Sequence, residues 1–163
     1  LGDQHDVFRT HWYNGAARLQ QTLTEAELAM LDPGFREVGI AGAEITLTEF
    51  LDANAAREAA GHKLNLFLDK YDLLLTPTLP ITAFEAGEDV PVGSGMDRWT
   101  RWTPFSYPFN LSRHPAATIP CGLCSNGLPA GLQIVGPMNR DDKVLAASRA
   151  YETVRPIALP DLG

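Results

Sequence analysis

The sequence predicts an α/β fold, and three observations carry that expectation. A capping-box pattern, Thr46-Leu47-Thr48-Glu49, opens a long periodic segment that reads as a helix. A continuous apolar run of strand length, Asp72–Thr76, follows it. Pro115–Pro137 (PAATIPCGLCSNGLPAGLQIVGP) then reads as two strands about a tight reversal, with a closing helix after it. Helix, buried strand, loop, strand, strand, helix is an α/β or α+β order.

Taken in order, Val7–Leu23 recurs at near-helical spacing through Val7, Trp12, Ala16 and Leu19. Thr24-Glu25-Ala26-Glu27 is a second capping box, starting a short helix through Met30. Asp32-Pro33-Gly34 reads as a break, with one more short turn of helix over Phe35–Gly42. In the long helix Phe50, Arg57, Leu64 and Tyr71 fall at heptad spacing. Pro77 and Pro80 stop the strand after it, and residues 81–102 show no periodicity, as a functional or disordered loop would. Thr103–Ser112 packs three aromatics and two prolines into a short span.

In the hairpin, Ala116–Pro120 and Ala130–Gly136 are the strands and Asn126-Gly127 the turn, since both residues tolerate positive φ. Gly122, Gly127, Gly131 and Gly136 punctuate the unit, and glycine within a strand marks close approach by another backbone or a ligand. Strands apolar on both faces belong in a covered sheet larger than a hairpin. Asp141 and Asp142 read as caps of a helix through Val154, and 156–163 as a tail.

Composition narrows the classes of function. With 163 residues and 45% apolar content, the chain can build a real core. Its net charge of -7 argues against a sequence-independent hold on nucleic acid or anionic lipid. No apolar run is long enough to span a bilayer and no signal-peptide pattern opens the chain. With 2 cysteines there is no disulfide framework, and a reducing cytoplasm is the default location. The first residue is Leu1 rather than Met, as in a fragment or a processed product.

Few residues point to chemistry. Arg57 interrupts an apolar helix line, and its permanent charge needs a carboxylate, a carbonyl or an anionic ligand; a structural ion pair or a stem reaching solvent is the competing account. Cys121 and Cys124 form a lone CxxC with no second ligand pair for zinc and no helix N-terminus for redox work, so two packed thiols are expected. The four histidines make no metal spacing, and His114 reads as solvated or satisfied. Phe105, Tyr107, Phe109 and Asn110 would either line an apolar pocket with one orienting amide or pack in the core, and spacing does not separate the two.

Tyr71–Pro80 (YDLLLTPTLP), Pro104–Gly122 (PFSYPFNLSRHPAATIPCG) and Gly127–Pro137 (GLPAGLQIVGP) resemble, in order and spacing, the C-terminal part of the amidase signature family. The resemblance covers roughly residues 50–154 and implies a large mixed sheet covered by helices. It makes residues 1–163 part of one amidase domain, with a helical lead-in over 1–45, the long helix and sheet over 46–155, and the tail. Family members cleave or transfer the acyl group of amides with a serine nucleophile, a second serine in a cis peptide and a lysine. The resemblance calls for no cofactor and no metal. The Gly- and Ser-rich stretch carrying both serines lies upstream in the family and has no counterpart here, Ser94 included, so this chain alone is expected to be catalytically silent.

By the same resemblance, Arg57 matches an arginine that binds the substrate carboxylate in the branch supplying ammonia for tRNA amidation. Thr103 stands where that branch has an aspartate for the substrate amine. A neutral threonine offers an ammonium no charge-assisted bond, which disfavours the A subunit of a tRNA amidotransferase. Trp99, Trp102, Phe105 and Tyr107 point instead to an apolar or aromatic amide. The expected substrate-binding residues are Arg57, Thr103, Phe105, Tyr107 and Asn110, with Gln133 on the strand that supports them. The expected partners are a small-molecule amide and the N-terminal part of the same polypeptide; a homo-oligomer stays open, and neither nucleic acid nor membrane is called for. A non-catalytic interaction module on the same scaffold is the alternative from another class, and thiol redox action by the CxxC is a third.

Overall fold

The computed structural model describes residues 2–156, so most of the expected tail lies outside the described residues. The chain forms two compact units, 2–59 and 60 onward, with the boundary inside the long helix.

The first unit is helical: α1 (His5–Gln20), α2 (Glu25–Met30), α3 (Pro33–Ala43) and the first part of α4 (Leu47–Leu68). Thr24 starts α2 with a complete capping box, and Thr46 and Glu49 close the same reciprocal pair at α4: Thr46 N–H donates to Glu49 Oε2 at 2.8 Å, and Glu49 N–H to Thr46 Oγ1 at 3.2 Å. The hydrogen bonds from Thr24 and Thr46 hold the Glu27 and Glu49 carboxyls below the usual range. Asp32-Pro33 is a start rather than a break. Asp32 Oδ1 accepts from Phe35 N–H at 3.1 Å and Pro33 sits in the first turn, where its missing N–H costs nothing. Gly42 lets α3 lie directly on the backbone of α1 at Tyr13.

The second unit is built on a three-stranded antiparallel sheet in the order β1 (Leu74–Pro77), β3 (Pro129–Val135), β2 (Ala116–Leu123). The central position of β3 explains its apolar character on both faces. On one face Leu74 and Val135 pack with Leu64 and Leu68 of α4 and Phe109. On the other, Ile119, Leu132 and Ile134 pack with Val144, Ala147 and Tyr151 of α6 (Asp141–Val154). Val135 at 0% and Ile134 at 2% exposure are the best buried of these; full burial of such a side chain stabilises by about 2 kcal/mol.

Four details differ from the sequence reading. The turn uses positive φ only at Gly127 (79°), with Gly127 N–H donating to Cys124 O at 2.9 Å and Cys124 N–H to Leu128 O at 2.8 Å. Thr103–Ser112 contains a helix, α5 (Tyr107–Ser112), after a 3-10 turn at Trp99–Trp102. Tyr71 lies beyond the end of α4 and is exposed, so it leaves the helix line. Asp141 and Asp142 are not caps: Arg140 holds that position, and its guanidinium bonds Asp142 at 2.8 and 2.7 Å, bringing that carboxyl down to about 2. No described helix is long and apolar enough to cross a membrane.

Candidate functional site

Beyond Gln133 the α4-side face of the sheet is left open, and there an apolar groove of about 1020 Å³ forms. Thr76 and Thr78 stand two residues apart, so their side chains share a face; Thr118 comes from β2, and its hydroxyl accepts from Thr78 Oγ1 at 3.3 Å. Phe84 and Trp102 make one wall, their rings edge to face with centroids 5.6 Å apart. Trp102 is fixed further by donation from Nε1 to Asp89 O at 2.9 Å. Gly131 admits the close approach of Thr78: an added Cβ would lie 2.6 Å from Thr78 Oγ1. Its place in the strand was legible as a glycine of close approach; the groove itself was not.

A side chain of the central strand reaches the segment that leaves Trp102 toward α5. Gln133, 5% exposed on the central strand, donates from Nε2 to Thr76 Oγ1 at 2.9 Å and to Phe105 O at 2.7 Å. Both protons of the amide nitrogen are thereby used.

The expected binding residues are distributed as follows. Thr103 and Phe105 are half-buried in that segment, with Thr103 Oγ1 donating to Thr100 O at 3.2 Å. Tyr107 and Phe109 are buried at 5% exposure each, and Phe109 belongs to the core cluster with Val135. Asn110 is exposed on α5. Arg57 lies half-buried on the α4 portion of the first unit, beside His11. There burial, and then the Arg57 charge, push the His11 pKa down, against a hydrogen bond to the Ala53 backbone. The His11 ring meets Phe50 edge-on at 5.1 Å.

The thiols are not packed. Cys121 is exposed, Cys124 half-buried, both are free, and both line the groove. Residues three apart in a strand face opposite ways. The register shift between Pro120 and Gly122 inserts one extra residue, Cys121, and resets the alternation. Gly122 carries φ 134° within it. The groove lining otherwise has no titratable side chain, so its chemistry is to hold and shape an apolar group rather than move protons.

One constellation outside the groove has the residue types of a catalytic pair but is buried. His114 Nε2 donates to Asn65 Oδ1 at 3.0 Å, and its Nδ1 lies 3.0 Å from the Ser112 hydroxyl, which donates to Phe109 O at 3.4 Å. Ser112 is 6% and His114 5% exposed, so no substrate reaches the hydroxyl; the chain of bonds locks α4 to the start of β2. Burial pushes the His114 pKa down. No group of three or more metal-ligating side chains occurs among the described residues.

Comparison with known proteins follows the same lines. A family model described as Amidase matches residues 15–145. The A subunit of the glutamyl-tRNA(Gln) amidotransferase of Brevibacillus brevis is 43% identical over 90 residues, which take in 54% of this chain and 17% of that protein. An acylamidase of Rhodococcus erythropolis is 36% identical over 96 residues, 56% of this chain and 20% of that one. The crystal structure of a bacterial aryl acylamidase of the amidase signature family matches with a TM-score of 0.74 at 28% identity, over 94% of this chain and 34% of that one. The chain thus spans about a fifth of these curated relatives and about a third of the solved chain. Its helices, its antiparallel sheet and the family match over most of its length lead to one conclusion: the chain belongs to the amidase signature family.

Proposed function

We propose that this chain is the C-terminal portion of a hydrolase that cleaves a carboxylic amide to an acid and ammonia or an amine through an acyl-serine intermediate. In this reading it supplies sheet and pocket wall, and the nucleophile comes from the upstream part of the same polypeptide. The single observation that carries the reading is the apolar groove walled by Phe84 and Trp102, the residue from which the Thr103–Phe105 segment continues. An apolar lining without a carboxylate fits an apolar or aromatic acyl or amine group, as does neutral Thr103. Arg57, in the helical unit, is kept as a proposed substrate-binding residue. Thr103 and Phe105, which follow the wall residue Trp102 in the chain, and Tyr107 and Asn110 beyond them are proposed as further substrate-binding residues, although none of the four is part of the groove lining.

The test assays the chain alone, and joined to an upstream amidase region, on acetanilide and acetamide. The expected result is turnover by the joined polypeptide and none by the chain alone. Turnover by the isolated chain would overturn the assignment of catalysis to the upstream part.

A second reading, glutamine as the ammonia donor, is favoured by the 43% identity to the A subunit of an amidotransferase. It requires a partner for the substrate ammonium, and Thr103 is a weak one. Glutamate release from glutamine at a rate rivalling anilide hydrolysis would favour it over the first reading. A non-catalytic interaction module would instead self-associate through exposed apolar residues such as Met30, Ile40 and Leu47; a strict monomer in solution counts against it.

A further inference from the structure

We infer that Gln133 is a positioning residue: by donating to the carbonyl of Phe105, three residues after the wall residue Trp102, it sets where Trp102 stands over the groove, and so which amides the enzyme prefers. This rests on the amidase reading above. The Gln133 position is unusual. Its neighbours on β3 are Leu132, Ile134 and Val135, and a buried amide among them is costly unless both donors are satisfied. The bond to Thr76 is one such partner and lies within the sheet, directly across the register. The bond to Phe105 O is different in kind. It spans 28 residues of sequence to a backbone atom between the 3-10 turn and α5, a stretch whose position no strand ladder fixes.

Two other bonds of this stretch lead elsewhere. Trp102 is bonded to the loop residue Asp89, and Thr103 to Thr100 within its own turn. Gln133 therefore joins the wall to the central strand at the point where the groove begins. A shift of the wall changes the width available to a substrate ring, and displacements of about 1 Å in such walls change rates by tenfold or more.

The test uses the joined polypeptide and the ratio of kcat/KM for acetanilide to that for acetamide. Gln133→Leu keeps the volume and removes both donors; it is expected to lower the ratio about tenfold, chiefly through KM for the anilide. Gln133→Glu keeps the shape and can still accept from Thr76, but sets a carboxylate oxygen against the Phe105 carbonyl. It too lowers the ratio near neutral pH. As the pH falls and the introduced carboxyl is protonated, its O–H donates to Phe105 O and the ratio recovers, whereas Gln133→Leu stays low. Ser112→Ala removes a buried hydrogen bond away from the groove, and is expected to lower the melting temperature while leaving the ratio unchanged.

If Gln133→Leu does not fold, Gln133→Glu and its pH recovery carry the same reading. A ratio unmoved in the folded Gln133 variants, or moved equally by Ser112→Ala, overturns the inference. A joined wild-type polypeptide inert toward both amides overturns the amidase reading instead.

Discussion

His114 Nε2 lies 3.0 Å from Oδ1 of Asn65, and this bond joins α4 to the chain entering β2. Burial holds the folded-state pKa of His114 below the ordinary value of 6.5, against a hydrogen bond to the Ser112 backbone. The unfolded chain binds the proton first, so stability is full above the unfolded pKa and falls as the pH drops from there toward the folded one. His11, lowered by burial and by Arg57, shifts the balance in the same direction. Urea unfolding at pH 7.5 and 5.5 should give a lower midpoint at the acid pH, and His114→Gln should flatten that dependence.

The helical unit depends on one glycine more than on its neighbour. A Cβ at Gly42 would strike the Tyr13 carbonyl of α1, a backbone atom that cannot swing away. Gly42→Ala should destabilise by about 3 kcal/mol, despite the better helix propensity of alanine. At Gly39 the obstacle is the Gln20 amide, a flexible side chain. Displacing it loses its 2.7 Å bond to Phe35 O, about 1 kcal/mol, which the helix propensity of alanine roughly offsets. Gly39→Ala should then melt close to the parent, as differential scanning calorimetry of both variants would show.

The two thiols should label unequally. Cys121 is exposed on the bulge and Cys124 half-buried at the turn, so Cys121 should react first with a maleimide. Peptide mapping after brief labelling checks this. A double Cys121→Ala, Cys124→Ala variant with an unchanged melting curve and unchanged amide turnover in the joined polypeptide would remove thiol redox action from consideration.

Gly131→Ala probes the groove itself. The new methyl would press on Thr78 Oγ1 and Cβ and on Thr118 Cγ2, at 2.6, 3.0 and 3.1 Å, and would narrow the floor. In the joined polypeptide KM for acetanilide should rise about tenfold, with that for acetamide changing far less.

What could be read from the sequence was what lies close together in it. Thr24 with Glu27, and Thr46 with Glu49, announce helix starts because the reciprocal bonds are local. Asp32-Pro33 carries the same kind of local signal, and reading it as a break missed that proline serves a first helical turn as readily as it ends one. The α5 helix stayed hidden because Pro108 and the surrounding aromatics carry little helix propensity, and tertiary burial of Tyr107 and Phe109 makes up the difference. The groove was beyond reach, since Thr76, Phe84, Trp102 and Thr118 meet only after the sheet has formed. The shared facing of Cys121 and Cys124 was hidden for a related reason: a bulge inverts the parity that strand reasoning relies on.

The prolines of the outer strands have a consequence for handling the protein. Among the described residues each outer strand has a flank with no neighbour in this sheet, and Pro77 and Pro120 cannot donate along those flanks. A foreign strand laid beside β2 meets a gap halfway, and one laid beside β1 finds only Leu74–Thr76 before its ladder ends. Lateral polymerisation is thus interrupted on both sides, even though Leu75 presents an oily side chain to water.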